Sequence, residues 1–189
     1  MVVALAPTYR PETRGPATVR VAMTPSPERC VSFLAAAGVH RLLVVRASVP
    51  DADFKRRAAA AGTEPGVAIE DHILSSPDAL PGRLRAVGAR ADGIWLAPDP
   101  DAVTPETFHV VLDFAGARKI PFFAPAAGLV SGDARGELTV SFHDCGREAA
   151  RAAKSLLSGR LETKTVYPAP PAEREPLARN RRQVGGGPE

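Results

Sequence analysis

The chain has 189 residues, 44% apolar and 24% charged, which is enough for one ordinary domain with a buried core and short for a two-lobed cleft. The formal charge of +3 owes much to Arg174, Arg179, Arg181 and Arg182; these stand among prolines and glycines where a nucleic-acid-binding face would need aromatics for stacking, so nucleic acid is excluded as a partner. No apolar run is long enough to span a bilayer, Met1 to Pro7 has neither the basic nor the apolar region of a signal peptide, and Cys30 and Cys145 match no metal-ligand spacing.

From Val19 onward, β-branched or apolar runs alternate with segments of helical period, a pattern that predicts βαβ units around a mainly parallel sheet of five to six strands. Val19 to Met23 is the first strand, and Thr24 or Ser26 caps a helix carrying Cys30, Phe33, Leu34 and Ala37 before Gly38 stops it. Leu42 to Val45, unbroken in its apolar character, suits a central strand covered on both faces. A helix from Pro50 to Ala61 follows, then a strand from Gly66 to Ile69, and a helix opened by Ser76-Pro77-Asp78 that carries Leu80, Leu84 and Val87. Ile94 to Leu96 is the fourth strand, and Thr104-Pro105-Glu106 caps a helix with Phe108, Val111, Leu112 and Ala115 on one stripe. Pro121 to Ala124 and Leu138 to Phe142 complete the strands, and Ser141-Phe-His-Asp144, at capping-box spacing, opens a last helix that ends at Gly159. Residues 1–18 read as a crossover, 19–160 as one α/β lobe, and 161–189 as an extended basic tail with a disordered end.

In an open parallel sheet, ligands bind beyond the carboxyl ends of the strands. That geometry nominates the loops after the second, third, fourth and fifth strands, and within them Ser48, Asp71, Asp99 and Asp101 as ligand-binding residues. Ser48, Asp99 and Asp101 also suit plain strand-ending and helix-capping roles, and both readings stand. His143-Asp144-Cys145 at a helix start would lower a thiol pKa, but a nucleophile and its base usually come from separate elements, and a capping Asp followed by a core Cys is the better reading. His109 and Asp113 share a helix face without a third metal ligand, and neither phosphate-binding glycine signature occurs, so no metal, cofactor or catalytic residue is assigned.

Four segments resemble, in order and spacing, the substrate-binding proteins of ABC transporters. They are Ala91-Asp-Gly-Ile-Trp-Leu-Ala-Pro-Asp99, Ala117-Arg-Lys-Ile-Pro-Phe-Phe-Ala124, Phe142-His-Asp-Cys-Gly-Arg147, and Pro176-Leu-Ala-Arg-Asn180 continuing to Gly185. The resemblance implies a Rossmann-like lobe of a type 1 periplasmic-binding-protein sandwich, three layers deep, that binds a small organic solute outside the cytoplasmic membrane and hands it to an ABC permease. It implies further that Val2 to Pro7 is the strand leaving a first lobe, most of which the chain lacks. Where members carry Thr-Asp-Asn after the fourth strand, this chain keeps Asp99 between two prolines; the Asn-Pro after their second strand is replaced by Ala47-Ser48. The stripe Ala149, Ala152, Ala153 and Leu156 is then expected to fold back on the lobe's own sheet or to be buried in a homodimer through Leu138 to Leu157. Two other functions remain open: a single-lobe interaction module without a ligand, and a small hydrolase-like enzyme using Asp99, His72 or Cys145.

Overall fold

The computed structural model describes residues 2–4, 18–74, 76–126, 129, 138, 140–160 and 164–168. In chain order the elements are β1 (Val2–Ala4), β2 (Thr18–Val21), α1 (Pro27–Ala36), β3 (Arg41–Arg46), α2 (Ala52–Gly62), β4 (Ala68–Ile73), α3 (Leu80–Val87), β5 (Gly93–Leu96), α4 (Pro105–Arg118), β6 (Phe122–Phe123), α5 (Phe142–Leu157) and β7 (Lys164–Val166), with single 3₁₀ turns flanking α3.

The unbroken apolar run of β3 places it inside a four-stranded sheet ordered β4-β3-β5-β6, parallel throughout. Alternation along the strands divides their side chains between two helical layers. Leu42 and Val44 of β3 join Trp95 of β5 and Phe123 of β6 against Cys30, Val31 and Leu34 of α1 and Phe54 and Ala58 of α2. Leu43 and Val45 join Ile94, Leu96 and Phe122 against Leu80 and Leu84 of α3 and Val111 and Ala115 of α4. The result is a three-layer sandwich, in which each fully buried Leu, Val or Phe contributes about 1.5–3 kcal/mol.

The helix boundaries follow from side chains that satisfy exposed first-turn amides. Ser26 accepts from Arg29 N, Thr104 from Thr107 N and Ser141 from Asp144 N. Gly38, at φ 73°, takes the left-handed conformation that ends α1 at little cost. Gly62 is fixed by packing: a Cβ there would lie 2.1 Å from the carbonyl oxygen of Val67.

Three details depart from expectation. Among the described residues the strands form two parallel sheets, of three and four strands, instead of one sheet of five to six: β2 pairs not with β3 but with β1 on one side and β7 on the other. The strand expected from Leu138 to Phe142 is not formed among its described residues, because Ser141 is the cap of α5 and Phe142 already belongs to the helix. The third strand runs to Ile73, so that Glu70, Asp71 and His72 pair with β3 instead of forming a loop.

Helix α5 lies against β1 and β2 of the smaller sheet. Ala152 is buried there, Ala149, Ala153 and Leu156 are half-buried, and Phe142 and Leu157 at the two ends are exposed. The smaller sheet therefore receives the returning helix.

Candidate functional site

The carboxyl ends of β2, β3 and β5 converge with the start of α2 and with Tyr167, just beyond β7, around a cavity of about 50 Å³. A water needs ~10–15 Å³ on this measure, so the space suits a few waters or the polar head of a larger molecule. Arg20, Arg46, Ser48, Trp95, Asp99 and Tyr167 are among the side chains that line it.

Asp99, 4% exposed, organises the rim. One carboxylate oxygen accepts from the backbone N–H of Ala47 at 3.1 Å and of Ser48 at 2.7 Å, and from the Ser48 hydroxyl at 2.7 Å; the other accepts from Asp101 N at 3.1 Å. Burial by itself would raise the pKa of this group, but the Ser48 hydroxyl and the three amides outweigh it and hold the carboxyl below its usual range. Asp99 thereby ties the loop after β3 to the loop after β5, and both of its oxygens are engaged within the protein.

Arg46 ends β3 on the same face as Val44 and enters the cavity wall. Its Nε lies 2.8 Å from Asp71 Oδ1, and Lys55 Nζ is 3.9 Å from the other oxygen. Neither the Arg46 Nε nor that Asp71 oxygen makes a well-aligned hydrogen bond among the described residues, so the pair is a charge contact and not a directed bond. Burial is the leading influence on both partners, lowering the Arg46 pKa and raising that of Asp71 against their mutual attraction.

Of the four residues nominated from sequence, the structure brings Ser48 and Asp99 into direct contact. Asp101 joins them through its backbone N–H, with its residue exposed. Asp71 sits behind Arg46, on β4, and lines a different depression along α2 and the sheet edge. That depression is larger, about 540 Å³, but its wall is chiefly Ala58, Ala59, Val67 and Ile69, with few polar groups converging on it.

The groups proposed for an enzyme do not assemble. Asp99 accepts from Ala47, Ser48 and Asp101, and His72 is not among its partners. His72 lies on β4 under the influence of Arg83, and burial lowers its pKa. Cys145 is buried with its thiol toward Ala22 O, burial raises its pKa, and His143 beside it is exposed. Among the described residues no cluster of metal-ligating side chains occurs and no helix is long and apolar enough to cross a membrane.

Sequence reading did not single out Arg20, Arg46, Trp95 or Tyr167. Arg46 carried a signal, since an arginine at even spacing from Leu42 and Val44 must share their face. Trp95, the sole tryptophan, is fully buried, and its indole N–H has no hydrogen-bond partner among the described residues. Tyr167 could not be placed before the pairing of β7 with β2 was known.

In a parallel α/β lobe the carboxyl ends of the strands are where a ligand binds when one is bound. No protein-family model and no curated protein sequence matches the chain. Its fold does match solved structures. The ABC domain from Streptococcus pneumonia in complex with L-Trp aligns with a TM-score of 0.54 at 17% identity, over 80% of this chain and 53% of that one. A conserved domain protein from Vibrio cholerae aligns with a TM-score of 0.54 at 15% identity, over 79% and 52%. A solute binding protein of an ABC transporter from R. palustris, in complex with 4-hydroxybenzoate, aligns over 77% and 57% at 13% identity with a TM-score of 0.45. The chain spans about half the length of the structures it matches and has the fold of one lobe of a type 1 periplasmic-binding-protein sandwich.

Proposed function

We propose that the chain is the ligand-binding lobe of an ABC-type solute-binding protein, working outside the cytoplasmic membrane with a permease partner and performing no chemistry of its own. The observation that carries this reading is the cavity at the strand ends, where the Asp99 and Ser48 bridge fixes two loops and where the Trp95 indole and the Arg46 guanidinium form part of the wall. The Ser48 hydroxyl, which donates to Asp99 and can still accept, meets the solute in this reading, Asp99 holds it in place, and Asp71 acts by orienting Arg46. A cavity of about 50 Å³ encloses only a head group, so the remainder of the solute lies toward a second lobe.

The test is a panel of amino acids, sugars and small aromatic acids scored by thermal shift and then by calorimetry. A solute present at a hundred times its Kd stabilises the folded state by about 2.7 kcal/mol, a readily measured shift. We expect at least one class to stabilise the protein, and Arg46→Ala and Ser48→Ala to abolish that shift. A panel without a stabilising compound overturns the solute reading. The small cavity, with Pro98 in its wall, favours the second reading, an interaction module without a ligand, and that outcome would support it.

A further inference from the structure

Resting on the reading of the strand-end cavity as the solute site, we infer that Tyr167 is a cover over that cavity and that Arg57 is the latch that holds it shut. Tyr167 follows directly on β7, a strand of three residues whose described pairing is with β2, in the smaller sheet. Its ring nevertheless reaches across to α2, in a layer of the larger sheet. It packs on Phe54 with ring centroids 6.4 Å apart and receives the Arg57 guanidinium 5.1 Å above its centroid. Tyr167 thus spans the two sheets at the point where the cavity lies between them, and burial pushes its phenol up to about 12.

Arg57 is itself held in a fixed orientation. Its Nε and Nη2 donate to the two carboxylate oxygens of Glu28 at 2.7 and 2.8 Å, and Nη1 donates to Asp53 at 3.4 Å. The bidentate pair fixes the plane of the guanidinium, and with it the face laid on the phenol ring. Glu28 stands in the first turn of α1, immediately after the segment that contributes Met23 and Thr24 to the cavity. One side chain therefore joins α1, α2 and the segment after β7, and the last of these closes the site.

The buried indole gives a direct readout. Trp95 lines the same cavity, is 0% exposed and is the only tryptophan, so its fluorescence quenching by acrylamide reports opening of the cover with no ligand present. We expect Tyr167→Ala to raise quenching most. Arg57→Ala should raise it by the roughly two- to fivefold gain in open population that loss of an exposed cation–π contact corresponds to. Arg57→Lys, which keeps the charge without the planar bidentate fork, should fall between it and the wild type. Arg151→Ala, which removes an exposed ion pair on α5, should leave quenching unchanged. Far-UV circular dichroism and the urea midpoint establish that each variant is folded; if Arg57→Ala is not, Glu28→Gln, which frees the guanidinium while leaving it in place, takes over the comparison. Unchanged quenching in Tyr167→Ala refutes the cover, and increased quenching there with wild-type quenching in the folded latch variant refutes the latch. Because no solute enters the measurement, a failed ligand panel and a failed latch are separate results.

Discussion

Replacing Asp99 by Ala removes an acceptor from four donors at once. Three of them are backbone N–H groups, of Ala47, Ser48 and Asp101, and the fourth is the Ser48 hydroxyl, which can turn elsewhere. A net hydrogen bond to a charged group is worth about 1.5–3 kcal/mol when its partners are buried. Ala47 and Ser48 are only half-buried and Asp101 is exposed, so water recovers part of each loss. Taking about 1 kcal/mol per amide gives about 3 kcal/mol, below the range for three fully buried bonds to a charged group. For a chain of this length that corresponds to a fall in Tm of about 6–12 °C.

Urea denaturation followed by circular dichroism measures it, with m unchanged if the native state keeps its compactness. Asp99→Asn, which retains one acceptor oxygen, should lie between the two. The carboxyl is held below its ordinary value in the folded state, so its contribution is complete above pH ~4–5 and is lost as pH falls through the folded pKa. The wild type and Asp99→Ala should therefore converge in stability on acidification. A loss below about 1 kcal/mol at pH 7, or a gap that widens in acid, would refute the role given to Asp99 as the tie between the two loops.

Asp71→Ala leaves the Arg46 guanidinium buried without its counter-charge and is expected to cost about 3–5 kcal/mol, whereas Arg46→Met combined with Asp71→Leu should come close to wild type; denaturation of the single and double variants checks the contrast. Gly62→Ala forces a methyl into the Val67 carbonyl and should destabilise by at least about 1–3 kcal/mol, read from the urea midpoint. Cys30 is buried, with its thiol pushed up to about 12, and Cys145 is buried with its pKa also raised. Neither should react with Ellman's reagent at pH 8 in the native protein, and both should react once it is unfolded.

The layers were legible from periodicity because β3 has apolar residues at four successive positions, and only a strand covered on both faces rewards that. The caps were legible for a similar reason: Ser26, Thr104 and Ser141 each precede an amphipathic run, and each bonds an amide three residues on. Pairing was not legible. Val19 and Val21 are as buried as any residue in β3, and nothing in their own composition says that their neighbours are Lys164 and Val166. The site shows the same division. Ser48 and Asp99 could be nominated because loops after strands are where ligands meet parallel sheets. Arg20 and Tyr167 enter the cavity from the smaller sheet, whose existence depends on contacts between distant parts of the chain.

The pairing of β2 with β7 also sets an order of assembly. The four strands of the larger sheet lie between Arg41 and Phe123, so that sheet can form while the ribosome still holds the rest of the chain. The cavity wall cannot, because Arg20 acquires its neighbour Thr165 only after that distant residue has emerged, and such distant pairings are the slow ones to close. A nascent chain arrested before Lys164 would carry Trp95 within the larger sheet but without Tyr167 in the cavity wall. The strand-end cavity would then be completed only once β7 has joined β2, later than the larger sheet that supplies the rest of its wall.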